Sequence, residues 1–252
     1  MATKQELLEL QQTLYASKNP TRRWLHSIRR DWICDALARL SKGRNDNAME
    51  VGPGSGVYLP VMAKLFKNVT ASDVEDAYLD HAKVIAIDHP NLHVIADDII
   101  SPKIPEKTFD LILCSEVVEH IAQSEQAISG MRKLLKPSGT LILSTPQKYS
   151  PLELAAKIAF LPWIIDLVRM IYGEAIIKTG HINLMTEKEI MRQLTKSGFK
   201  IIEKHKSGFY IPLISEFTGN VGLKLEKWLE SRLRNLPVLS GLLWTQYYIA
   251  TI

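Results

Sequence analysis

The sequence predicts an α/β fold in which a seven-stranded, mainly parallel sheet is covered by helices on both faces. Three observations lead there. From residue 48 onward, short β-rich runs alternate with helical patterns, the signature of right-handed βαβ crossovers. A glycine-spaced turn follows the first run, and acidic residues close the next ones. With 252 residues the chain can bury a core without disulfide staples.

Strands are expected near Ala48–Gly52, Asn68–Asp73, Leu92–Asp97, Leu111–Glu116, Thr140–Thr145, Lys200–Lys206 and Trp244–Ile252. Residues 1–47 read as a helical segment of their own, with Leu25, Ile28, Trp32, Ala36 and Leu40 forming an apolar stripe and Thr21 as its N-cap. Arg22, Arg23, His26, Arg29 and Arg30 lie off that stripe, as a solvated basic face or as a dock for an anionic group. Two stretches exceed a minimal alternation. Residues 148–180 form an apolar insertion after the fifth strand, and 207–240 hold an amphipathic helix over Gly222–Leu233.

Composition excludes several classes. Cys34 and Cys114 stand far apart with no C-x-x-C pair, which rules out a zinc ribbon and a disulfide framework and fits a reducing, cytoplasmic setting. Thirty-one basic against 27 acidic residues permit an anionic partner or a membrane surface without requiring nucleic acid. The N-terminus carries acids and amides where a secretory signal needs an apolar core. The apolar run Ile158–Ile165 contains Pro162 and stops at Asp166, too short to span a bilayer.

The chemistry concentrates at strand ends. Glu50-Val51-Gly52-Pro53-Gly54-Ser55-Gly56 runs from a strand into a turn that opens a helix, where glycines allow a tight turn and close ligand approach. Asp73, 17 residues after Gly56, ends the second strand where a carboxylate can accept both hydroxyls of a ribose. Asp97 and Asp98 end the third, suited to an adenine amino group, with Ile99 beside the ring. Ser115 and Glu116 end the fourth. The G-x-G-x-G spacing differs from the G-x-G-x-x-G of a pyrophosphate cradle, so the ligand expected is a nucleoside without phosphates.

Over residues 48–147 the chain closely resembles the class I S-adenosylmethionine-dependent methyltransferases. The resemblance rests on Glu50-x-Gly52-x-Gly54-x-Gly56, Asp73, Asp97-Asp98, Phe109-Asp110, Ser115-Glu116-Val117-x-Glu119-His120 and Leu135-Lys136-Pro137-x-Gly139-Thr140. It implies a Rossmann-like sheet whose last strand runs antiparallel, with residues 1–47 as a cap over the cofactor site and 48–252 as the catalytic domain. It further implies that S-adenosylmethionine binds, and S-adenosylhomocysteine leaves, against Glu50, Gly52, Gly54, Gly56, Asp73, Asp97, Asp98, Ser115 and Glu116.

Methyl transfer from a sulfonium is an in-line displacement, so alignment and water exclusion matter most, and a hydroxyl acceptor also needs its proton removed. His120 and His181 are the candidate catalytic residues; His120 otherwise only shapes the pocket. Glu116, Glu119, His120 and His181 together also offer the ligands of a divalent metal, a pattern similar to that of ubiquinone-pathway O-methyltransferases and small-RNA 3′-end methyltransferases. The same string occurs in relatives without metal, and His181 has another job available, capping the turn before Thr186-Glu187-Lys188-Glu189. No metal is therefore assigned.

The insertion at 148–180 stands where family members hang a lid, and its apolar character predicts an apolar or lipid-like small-molecule acceptor, with peripheral membrane contact through the same segment. A macromolecular acceptor, the 3′ end of an RNA or a peptide carboxylate, is the alternative, as is a cofactor-binding scaffold without turnover.

Overall fold

A computed structural model describes residues 8, 9, 11, 13–43, 46–159, 161, 164, 180–211 and 214–252. Helix α1 (Pro20–Leu40) begins at Asn19, whose side chain accepts a hydrogen bond from the Arg22 amide at 2.9 Å. Proline at the first helical position has no N–H to satisfy and a φ already suited to a helix, so the cap falls one residue before it. Thr21, expected as the cap, is inside the first turn and buried, its hydroxyl donating to Glu226. The buried face of α1 runs through Thr21, Leu25, Arg29, Ile33, Ala36 and Leu37, a stripe rotated from the expected one. The rotation matters because it turns Arg29 inward.

The sheet comprises β1 (Asn47–Val51), β2 (Asn68–Asp73), β3 (Leu92–Ala96), β4 (Phe109–Ser115), β5 (Leu135–Pro146), β6 (Lys200–Ser207) and β7 (Thr245–Thr251), in the spatial order β3-β2-β1-β4-β5-β7-β6. Strands β1 to β5 pair in parallel, and β7 runs antiparallel to both β5 and β6. The fold is thus the Rossmann-like one expected. Six strands begin and end within two residues of expectation. Strand β5 instead starts at Leu135, ahead of Thr140, because Leu135 pairs with Phe109 before a register shift, and the intervening stretch, where Ser138 takes a positive φ of 61°, bulges out of the ladder.

Helices α2 (Leu59–Leu65), α3 (Asp76–Ala86), α4 (Ser124–Leu134), α5 (Pro151–Ala159), α6 (Glu187–Lys196), α7 (Ile214–Thr218) and α8 (Asn220–Leu233) connect the strands. Strand alternation splits the core in two. Met49, Val51, Ile112 and Cys114 pack with α4 and α6, whereas Ala48, Leu111 and Leu113 pack with α1 and α2. Glu50 shares the parity of Ala48 and so belongs to the α1 side. Helix α6 starts with a complete capping box, Thr186 and Glu189 each bonding the other's backbone N–H.

Of the apolar insertion, residues 148–159, 161, 164 and 180 are described, with α5 at its start. Phe160, Pro162, Trp163 and Ile165 of its apolar run lie outside the described residues. Among the described residues no helix is long and apolar enough to cross a membrane.

Candidate active site

The chain order reverses between β1 and β4, and the crevice beyond the carboxyl ends of such strands is where open α/β sheets bind ligands. Gly52, Gly54 and Gly56 all adopt positive φ, at 68°, 51° and 68°. The Gly52 amide donates to the Ser72 carbonyl at 2.9 Å, tying the turn to β2. A Cβ at Gly54 would stand 2.7 Å from the Gln11 Oε1 atom, so the N-terminal segment lies directly on this turn. A Cβ at Gly52 would strike Val117 and one at Gly56 would strike Ile85. The three glycines therefore serve a close approach of chain to chain.

Glu50 lies beneath the turn with 2% of its surface exposed, and its Oε2 has no hydrogen-bond partner among the described residues. Burial pushes its carboxyl well above the usual range. A lone acceptor of this kind, buried beside a glycine turn, fits the amino group of a methionine moiety. Asp73, at the end of β2, holds its own turn by accepting from the amides of Val74 at 2.7 Å and Glu75 at 2.9 Å.

At the end of β3, Asp97 accepts from the Lys103 amide at 3.0 and 3.1 Å, and the exposed Asp98 accepts from Ile100 at 2.9 Å. Both carboxylates thus shape the loop. Ile99, expected beside a ring, is buried in the core instead, and its carbonyl faces α4 where Gly130 has no Cβ. The hydrophobic side chain turns inward because the Asx turn at Asp98 curls the backbone back onto that helix.

Ser115 and Ser144 exchange a hydrogen bond between hydroxyls at 2.9 Å. Glu116 takes a positive φ of 58°, and its carboxylate receives Arg29 at 2.7 Å and the Ser144 hydroxyl at 3.1 Å. The pair is largely desolvated, with side chains 10% and 17% exposed. Burial disfavours the charge on Arg29, but Glu116 together with Tyr58, Tyr15 and Tyr247 outweighs that and holds the guanidinium above its usual range. Arg29 also reaches the His26 Nδ1 at 3.2 Å and lies over the Trp244 ring, 5.3 Å from its centroid. Burial, then the charges of Arg29 and Arg22, push His26 well below the usual histidine range, leaving it neutral.

A second cluster follows β4. Glu119 is fully buried; its Oε2 accepts from Thr145 at 2.9 Å and its Oε1 has no hydrogen-bond partner among the described residues. Burial and the neighbouring Glu116 charge push its carboxyl up to about 8. The Glu119 carbonyl accepts from the amides of Ile182 and Asn183, at 3.0 and 2.9 Å, and Asn183 also bonds the Ile121 carbonyl and Ser124. Those bonds deliver His181 to His120, with ring centroids 5.1 Å apart. Glu119, His120 and His181 present ligand atoms that all lie within 4.8 Å of one another.

Glu116, expected as a fourth ligand, is not in this set; its carboxylate is taken up by Arg29 and the Ser144 hydroxyl. His181 does not cap the turn before α6 either, since Thr186 does. Its Nδ1 instead meets the Glu153 Oε2 at 3.2 Å, while the Glu153 Oε1 accepts from the Trp244 Nε1 at 3.0 Å. Burial works against the charge on His181, but Glu153 and then Glu119 and Glu116 outweigh it and raise its pKa. Arg29, Trp244 and Glu153 thus join the two clusters. None was singled out for this from the sequence, although the i, i+4 series Thr21, Leu25, Arg29, Ile33 contained the signal for Arg29.

A profile describing a methyltransferase domain matches residues 24–204, more than two thirds of the chain. The chain belongs to the class I S-adenosylmethionine-dependent methyltransferase family. This methyltransferase is 27% identical over 125 residues to the mitochondrial ubiquinone biosynthesis O-methyltransferase of Schizosaccharomyces pombe, covering 48% of the chain and 45% of that relative. To the ubiquinone biosynthesis O-methyltransferase of Maricaulis maris it is 31% identical over 128 residues, covering 48% of the chain and 49% of that relative. The methyltransferase spans about half the length of these curated relatives. The crystal structure of an S-adenosylmethionine-dependent methyltransferase from Aquifex aeolicus shares its fold, with a TM-score of 0.59 at 15% identity and full coverage of both chains.

Proposed function

We propose that this methyltransferase transfers the S-adenosylmethionine methyl group to a hydroxyl of an apolar or lipid-like small molecule. The observation that carries the proposal is the cluster of Glu119 and His120, which follow β4, with His181, a ligand-bearing group that can take a proton. The ubiquinone-pathway names of the relatives support oxygen as the acceptor atom.

In this reading Glu50 takes the methionine amino group, Gly52, Gly54 and Gly56 let the ligand approach the backbone, and Asp73 takes the ribose hydroxyls. Asp97 or Asp98 meets the adenine edge, Ser115 and Glu116 line the cofactor, and residues 1–47 cover it. S-adenosylmethionine supplies an electrophilic methyl on a sulfonium that leaves as the neutral thioether S-adenosylhomocysteine. The acceptor hydroxyl gives up its proton as its oxygen takes the methyl, so atoms and charge balance with one proton released. A carboxyl raised to about 8 accepts that proton through its ionised fraction, a minority at neutral pH that grows as pH rises towards 8. Glu153 holds His181 by Nδ1, which leaves Nε2 as the nitrogen available to the cluster.

Glu119, His120 and His181 also suit a divalent cation, since two imidazoles and a carboxylate are a common donor set and the Glu119 Oε1 lacks a hydrogen-bond partner among the described residues. Such an ion would lower the pKa of an acceptor hydroxyl. The Leu154 and Ile158 side chains that α5 exposes support an apolar acceptor.

The first test is calorimetric titration of wild type and Asp73→Ala with S-adenosylmethionine and S-adenosylhomocysteine. Micromolar binding that weakens at least tenfold in the variant is expected, and no binding by wild type removes the proposal. Turnover of phenolic against carboxylate acceptors, with and without a chelator, then separates hydroxyl methylation from its alternatives. Activity on carboxylates alone refutes the hydroxyl assignment.

A further inference from the structure

Helix α8 is amphipathic in the reverse sense. Its buried face carries Gly222, Glu226 and Glu230, while Val221, Leu225 and Trp228 face outward, with 72%, 43% and 55% of their surfaces exposed. The inversion has a clear cause. Glu226 accepts from the Thr21 hydroxyl and from the Ile211 amide at 3.1 Å, and Glu230 accepts from the amides of Gly208 at 2.9 Å and Phe209 at 3.3 Å. The two carboxylates anchor the helix to α1 and to the chain leaving β6, which obliges the opposite, apolar side to face solvent. Phe217 of α7, exposed at 73%, and Leu236 and Val238 beyond the helix end extend the apolar exposure.

Charge on α8 is sorted as sharply. Both acids are buried, so every exposed charge on the helix is positive: Lys224, Lys227 and Arg232. Successive residues turn by about 100°, which interleaves these cations with Val221, Leu225 and Trp228 on one arc. Arg232 lies over the Trp228 ring at 5.7 Å, and Lys227 over the Trp24 ring of α1 at 5.7 Å. Aromatic and aliphatic side chains flanked by long cationic ones, with no exposed carboxylate among them, are the chemistry of an interfacial helix lying on anionic lipid, its cations reaching headgroups while the apolar side chains enter the boundary region.

We infer that the exposed arc of α8 docks this protein peripherally on an anionic membrane surface. The geometry places the site close by, because Leu25 and Tyr210, which the anchoring residues border, pack on Trp244, the ring that Arg29 covers. The inference suits an apolar acceptor but does not rest on it.

The test is flotation of the full chain with vesicles of phosphatidylcholine and phosphatidylglycerol, against phosphatidylcholine alone. Wild type should float with the anionic vesicles and lose that binding as salt is raised. Lys224→Ala/Lys227→Ala should weaken partitioning about twenty-five-fold, from about fivefold per cation at an anionic surface. Val221→Asp/Trp228→Asp should abolish it, while S-adenosylmethionine titration and the thermal melt of each variant stay as in wild type and report an intact fold. No flotation by wild type overturns the inference. So does flotation that both variants retain, which would assign membrane binding to another surface. A concentration-dependent dimer that the aspartate variant dissociates would assign the arc to a second copy and equally overturn it.

Discussion

Replacing Arg29 with methionine tests how the site is held together. The substitution keeps most of the side-chain volume but removes the 2.7 Å contact to Glu116, the 3.2 Å contact to His26 and the cation over Trp244. Glu116 would keep only the Ser144 hydroxyl, at 3.1 Å, in a place where the carboxylate side chain is 17% exposed. Stranding one partner of a buried pair costs about 3–5 kcal/mol, equivalent to a Tm fall of about 6–20 °C at about 2–4 °C per kcal/mol for a chain of this size. Urea melts of Arg29→Met, Glu116→Gln and the double variant close a thermodynamic cycle. The double variant should lose at least about 2 kcal/mol less than the sum of the singles, because neither charge is then stranded. A loss under about 1 kcal/mol in Arg29→Met, or strict additivity in the double variant, would show that the pair behaves like an exposed ion pair and refute the reasoning.

Gly130→Ala should cost more than about 3 kcal/mol, since its Cβ would stand 1.9 Å from the Ile99 carbonyl oxygen, a backbone atom with no freedom to rotate away; a melt within 2 °C of wild type would contradict this. Glu119→Gln should gain stability relative to wild type as pH rises. Folded Glu119 holds its proton up to about 8 while the unfolded carboxyl releases it near 4.5, so wild type binds more protons folded than unfolded in that window and loses stability across it. Urea melts at intervals from pH 5 to pH 9 read the difference, and a flat one would show that Glu119 titrates normally. Glu153→Gln should lower the His181 pKa by removing the carboxylate that most strongly supports its charge; a histidine titration by NMR that does not move would remove Glu153 from that role.

Much of this architecture was legible because it is local. Strands β2 and β4 end in the polar residues Asp73 and Ser115, and buried strands such as β4 read as apolar runs. What escaped is what depends on phase or on distance along the chain. Arg29 fell off the expected apolar stripe, with a solvated face and an anionic dock both open to it, because a stripe drawn through Ile28 and Trp32 differs by one helical step from one drawn through Arg29 and Ile33, and only the neighbours of α1 decide between them. The outward turn of α8 escaped for the same reason, since the hydrophobic pattern fixes a helix's two faces but not which one is buried when buried amides demand Glu226 and Glu230. Glu153 gave no local sign at all, because its partners, His181 and Trp244, lie 28 and 91 residues away.

Strand β7 is made after β6 yet lies inside the sheet, between β5 and β6. Until it inserts, β5 is an open edge of twelve residues, with no antiparallel neighbour to cover it, and β6 has nowhere to pair. Trp244, the ring under Arg29, arrives just ahead of that strand, so the two clusters of the site cannot be joined before the sheet is closed. Closure of the sheet therefore waits on β7. A nascent chain paused before residue 244 exposes a template for edge-to-edge association, and its demand for chaperones should fall abruptly once the segment that follows clears the ribosome.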